Sequence, residues 1–131
     1  MARRTLLLIP LLAVLPCAAE AACPLTEIEV IGFVRAADGT AIVGAAVEAS
    51  WEEKAAGTVS TRRETVADGS FLLKIAYDTY SGKTFTGKDK CDTRIATASL
   101  AVTHDGYRTL RRELKLDDAA TPLELELAAN Q

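Results

Sequence analysis

The chain has 131 residues, 49% hydrophobic and 25% charged, which excludes a disordered chain and leaves room for one domain with a buried core. The formal net charge is −3; residues 1–21 carry Arg3, Arg4 and Glu20, a sum of +1, so the remainder carries −4. An acidic body supplies no electrostatic reason to bind nucleic acid or an anionic membrane.

The N-terminus reads as an export signal, spanning residues 1–21, with the domain at 22–131. Arg3 and Arg4 form a positive leader and Thr5 to Leu15 an apolar run too short to span a bilayer. Ala19-Glu20-Ala21 offers a cleavage site, with a cut after Ala19 as the alternative. Arg3-Arg4 hints at twin-arginine export, but the flanking pattern favours the general secretory route. Cys17 follows Pro16, and Cys23 has Glu20 three residues before it, so neither matches a lipidation site well. Cleavage removes Cys17 and leaves Cys23 and Cys91, an even pair that in an oxidising compartment reads as one disulfide.

Leu25 to Arg35 reads as the first strand, with Ile28, Val30 and Val34 on one face and Ile31 and Phe33 on the other, a pattern that predicts cover on both sides. Asp38-Gly39 is a turn, and Val47, Ala49 and Trp51 alternate with Glu48, Ser50 and Glu52 in a second strand. Thr58 to Val66 is polar on both faces and reads as an edge strand. Asp68-Gly69 turns the chain into Phe71 to Tyr77. Asp78 to Thr93 is the longest break, Ile95 to Thr103 a further strand, and His104-Asp105-Gly106 a turn. Tyr107 to Leu116 and Pro122 to Ala128 read as a closing hairpin, in which Glu124 and Glu126 face the basic run of Arg108, Arg111, Arg112 and Lys115. About seven short strands at this spacing predict an all-β sandwich.

In order and at this spacing, Val30-x-Gly32-x-Val34, Gly44-Ala45-Ala46-Val47, Thr65-x-x-Asp68-Gly69-x-Phe71-x-Leu73, Gly106-Tyr107 and Leu123-x-Leu125-x-Leu127 resemble the carboxypeptidase regulatory-like domain. That family belongs to the transthyretin-like, or prealbumin-like, sandwiches. The resemblance runs from about Ile28 to Leu127 and implies a seven-stranded Greek-key β-sandwich, usually a non-catalytic accessory module of secreted or surface proteins. Two departures from the family pattern are a longer link at Asp78–Arg94 and a module expected to stand alone rather than beside a larger domain. The resemblance also implies that the Ile28–Val34 strand pairs antiparallel with Phe71–Tyr77, which carries Cys23 and Cys91 to the same end and favours a bridge between them.

Enzymes occur on related sandwiches, so activity has to be argued from residues. The hydroxyisourate hydrolase needs several His and Arg and a Tyr-Arg-Gly-Ser tail, whereas this chain ends Ala128-Ala129-Asn130-Gln131. The intradiol dioxygenase holds iron with two Tyr and two His, and this chain has the single histidine His104. His104-Asp105 as an acid–base pair is set against an exposed turn histidine, and the turn reading is favoured because no nucleophile accompanies it. Asp78, Asp89 and Asp92 lack the dense alternation of a calcium loop and read as solvated charge. Trp51 and Tyr107 alternate with apolar neighbours and read as core, whereas Tyr80 and Phe85 lie in a polar, glycine-containing loop and read as exposed ligand contacts.

These readings predict a soluble protein exported to the periplasm or the extracellular space: a non-catalytic module with a binding or structural role, not an enzyme. The alternatives are a carbohydrate-binding module using Tyr80 and Phe85, and a small transthyretin-like hydrolase. No catalytic residue, cofactor or metal site is expected. The expected partner is an unidentified protein or glycan, with no nucleic acid and no integral membrane segment after signal cleavage.

Overall fold

The computed structural model describes residues 23–131 except Ala55 and Ala119. The signal segment, its cleavage site and Cys17 lie outside the described residues. Nine strands run β1 (Leu25–Ala36), β2 (Ala46–Glu53), β3 (Gly57–Glu64), β4 (Ser70–Asp78), β5 (Gly82–Lys83), β6 (Asp89–Lys90), β7 (Thr97–Thr103), β8 (Leu110–Lys115) and β9 (Leu123–Leu127) among the described residues. One sheet has the order β4-β1-β9 and the other β3-β2-β7-β8, with β5-β6 a small separate ladder. The chain crosses between the two large sheets at 37–45, 65–69, 79–96 and 116–122.

Period-two alternation builds both inner faces. Val30 and Val34 of β1, Leu73 and Ile75 of β4 and Leu125 and Leu127 of β9 are buried on one side. Val47, Ala49 and Trp51 of β2, Ala98, Leu100 and Val102 of β7 and Leu114 of β8 meet them from the other, in one continuous core. Facing sheets that share one such core form a β-sandwich. Gly32 stands in the inward row of β1, and the Phe71 ring occupies the space its missing side chain leaves.

The antiparallel pairing of β1 with β4 runs from Leu25 opposite Asp78 to Phe33 opposite Ser70. It brings the ends of the Cys23 and Cys91 segments together, and the two residues form a disulfide with a Cα–Cα separation of 5.3 Å. At Asp68-Gly69 the Asp68 carboxylate accepts from the Ser70 backbone N–H at 3.0 Å, and Gly69 takes a φ of +79°. A side chain there would also press on the Val34 carbonyl, so glycine is required twice over. Thr65 is the buried polar residue among those described; its hydroxyl donates to the Ile42 carbonyl and accepts from the Ala45 N–H, clamping the β1–β2 crossing to the end of β3.

Three sequence expectations are corrected. The closing hairpin does not form: β8 pairs with β7, while β9 crosses to the other sheet and runs parallel to β1, Gly32 opposite Leu123 through Ala36 opposite Leu127. Burial of Leu125 and Leu127 against the core outweighs the short connection. The expected facing of Glu124 with the basic run fails with it, and Glu124 instead pairs with Arg35 of β1 at 3.0 Å. Strand β1 is covered on one face, since Ile31 is 46% exposed. The long break is not irregular throughout, because β5 and β6 pair within it.

Candidate functional site

A pocket of about 470 Å³ opens at the end of the four-stranded sheet where β2 begins and β7 stops. Ala46 and Thr103 stand opposite each other across β2 and β7 and form part of its floor. Arg62 of β3, His104, Tyr107 and Asn130 form its walls. The walls are built by a turn and a tail held together: the Tyr107 N–H donates to the His104 carbonyl at 3.1 Å, and the Arg108 N–H donates to the Ala128 carbonyl at 2.8 Å. The Asn130 N–H donates to the Gly106 carbonyl at 2.9 Å. Gly106 permits the turn with a φ of +85°.

The His104 and Tyr107 rings meet edge to face, 5.7 Å between centroids. His104 Nδ1 lies 2.9 Å from the Asp105 carbonyl oxygen. A carbonyl only accepts, so this contact places the proton of the neutral ring on Nδ1 and leaves Nε2 as the acceptor. The Asp105 side chain is therefore not the partner that an acid–base dyad would need; the contact is to its backbone. Glu48 stands opposite Arg62 across β2 and β3, yet among the described residues the ion pair within 4 Å is Arg35–Glu124. Arg62 thus reaches the pocket without a clamped carboxylate. What sequence reading missed is the company His104 keeps: Arg62 and Asn130 are remote in the chain and reach it only through sheet order.

The remaining candidates fall elsewhere. Trp51 is buried, with its indole N–H on Glu53 Oε1 at 3.1 Å, and Tyr107 is half-buried, as a packing role requires. Tyr80 is half-buried at the foot of the β5–β6 hairpin, its carbonyl accepting from the Thr93 hydroxyl at 2.9 Å. Phe85 crowns the hairpin and is fully exposed. Tyr80 and the Cys23–Cys91 bridge lie near the Asp78 end of β4, whereas His104 lies near the Ala46 end of β2, and eight-residue β2 spans roughly 23 Å.

No protein-family model matches the chain, and no curated protein does. Among solved structures it is similar to hydroxyquinol 1,2-dioxygenase from Pseudomonas putida DLL-E4, with a TM-score of 0.56 and 14% identity over 80% of this chain and 57% of that one. It is similar to the catechol 1,2-dioxygenase of Acinetobacter radioresistens, with a TM-score of 0.55 and 14% identity over 82% and 53%. The 3-chlorocatechol 1,2-dioxygenase from Rhodococcus opacus 1CP gives 0.54 and 11% over 86% and 62%. The chain thus spans little more than half the length of these enzymes, and the likeness is one of fold.

This likeness corrects the expectation of a non-catalytic, non-enzymatic module. The sandwich is one that enzymes carry, so the fold offers no argument against catalysis. It does not carry the iron chemistry across either. Two histidines and two tyrosines are needed, and the chain has one histidine, with Tyr107 beside it but Tyr77 buried and Tyr80 at the far end. The donors do not fit that ion, and among the described residues no three of His, Cys, Asp and Glu gather around one point.

Proposed function

We propose that the protein is an exported sandwich of the carboxypeptidase regulatory-like, transthyretin-like kind, and that its His104 end takes up a small polar ligand bearing a carboxylate or similar anionic group. Supporting the family reading are the Asp-Gly turns and the Gly32–Phe71 contact; supporting export are the N-terminal pattern and the disulfide. One observation carries the ligand: the chain's single histidine shares one pocket with the Arg62 guanidinium and the Asn130 amide. Arg62 supplies charge and paired donors for an anionic oxygen. His104 Nε2, left as an acceptor by the Nδ1 contact, can take a hydrogen bond from an O–H or N–H of the bound molecule. The lining is largely polar, which suits a hydrogen-bonding molecule better than a greasy one.

The test is a nitrogen-resolved NMR titration of the His104 ring with a panel of small mono- and dicarboxylates and inorganic phosphate. A saturable shift of the ring signals, lost in Arg62→Ala, is expected. Ring signals that stay still across the panel, or that move equally in Arg62→Ala, would overturn the proposal.

A further inference from the structure

The β5–β6 hairpin combines three features that the His104 site does not use. Phe85 at its tip is 107% exposed, the most exposed of the large apolar side chains described. From Lys83 to Lys90 the sequence carries Lys83, Lys88 and Lys90 against Asp89 alone, two net positive charges on a chain whose net charge is −3. The turn below the tip is also closed by its own hydrogen bonds. The Thr84 N–H donates to the Lys88 carbonyl at 2.6 Å, the Gly87 N–H to the Thr84 carbonyl at 2.9 Å, and the Lys88 N–H to the Thr84 hydroxyl at 3.1 Å. The Thr84 and Thr86 hydroxyls pair at 3.1 Å.

The hairpin is held from below as well. The Ser81 N–H donates to the Lys90 carbonyl at 2.8 Å, and the neighbouring Cys91 is bridged to Cys23 at the start of β1. Asp92 is occupied at the foot, where its carboxylate accepts from the Ser81 hydroxyl. Asp89 stands opposite Lys83 in the ladder and cancels one of the three ammonium groups.

We propose that this hairpin docks onto an anionic lipid surface, with Phe85 entering the acyl boundary and Lys83, Lys88 and Lys90 at the phosphate level. A single apolar side chain at a tip suits the soft interior of a bilayer, which needs no matching cavity. The lysines are placed to meet phosphates while their stems follow the ring inward. Net charge alone argued against anionic membranes; the hairpin reverses that sign locally.

The test is sedimentation of the full chain, wild type and Phe85→Ser, with vesicles of phosphatidylcholine alone or mixed with phosphatidylglycerol. The N-terminal segment is the same in both proteins, so their difference reads the tip. The expected result is binding to the mixed vesicles that weakens about tenfold or more in Phe85→Ser. It also weakens with added salt and in Lys83→Glu/Lys88→Glu. The thermal midpoint of Phe85→Ser stays that of the wild type, which separates lost docking from lost folding. Equal binding to neutral and anionic vesicles, or an undiminished Phe85→Ser, would overturn the proposal. So would a Phe85-dependent capture of a glycan or protein with no preference for anionic vesicles.

Discussion

Gly32 makes the residue scale concrete. A methyl group there would lie 2.5 Å from the Phe71 ring carbon Cζ and 3.0 Å from Leu123 Cβ. Phe71 is buried within the shared core, so the ring has nowhere cheap to go. Gly32→Ala is expected to cost about 1–3 kcal/mol by overpacking. Calorimetry should then show a midpoint lowered by roughly 4–15 °C. An unchanged midpoint would mean that ring and strand relax freely. The reason for Gly32 was invisible in the sequence, where it interrupts a run of apolar residues; the Phe71 that needs the space is brought opposite it only by strand register.

Pairing of elements decides what the bridge does. Cys23 and Cys91 are separated by 68 residues, and the bridge ties the start of β1 to the foot of the β5–β6 hairpin. In the chain-entropy account, closing a loop of that length is worth about 4 kcal/mol. Cys23→Ser/Cys91→Ser is therefore expected to lose about 2–4 kcal/mol in denaturant unfolding. Hydrogen exchange at the Lys83 and Lys90 amides should rise more than at Val30 or Leu73, which lie in the core. A variant with the wild-type unfolding midpoint would show that the crossing is already ordered by contacts such as the Thr79 hydroxyl donating to the Pro24 carbonyl. The bridge was legible in the sequence because alternation defined the two strands and the family resemblance implied their pairing. The β8–β9 hairpin failed for the opposite reason. Both segments alternate correctly, and alternation is silent about which sheet a strand joins.

Across the molecule, three loop carboxylates lie below their ordinary value of 3.8: Asp38 through the Thr40 backbone N–H, Asp68 through Ser70, and Asp92 through the Ser81 hydroxyl. The charged form is the one the fold favours. Their contribution to stability is therefore complete above the unfolded value and is lost as pH falls below it. The triple variant Asp38→Asn/Asp68→Asn/Asp92→Asn should then lose less of its thermal midpoint than the wild type between about pH 5 and about pH 2. Parallel curves would show that these carboxylates contribute nothing to acid sensitivity.

By itself the sequence determined the all-β class, most of the strands, the turns at Asp38-Gly39, Asp68-Gly69 and Asp105-Gly106, and the pair Cys23–Cys91. The class, the strands and the turns rest on period-two burial and on backbone conformations that a few residues settle locally, while the cysteine pair rests on the cysteine count and on the pairing that the family resemblance implies. Only the tertiary structure decided that β9 runs parallel to β1, and that Arg62, His104 and Asn130 share a pocket. It also left Phe85 alone at the tip of a hairpin while Tyr80 is half-buried at its foot. Each of those depends on which strands become neighbours, and that choice is made by the total burial of the core rather than by any segment of the chain.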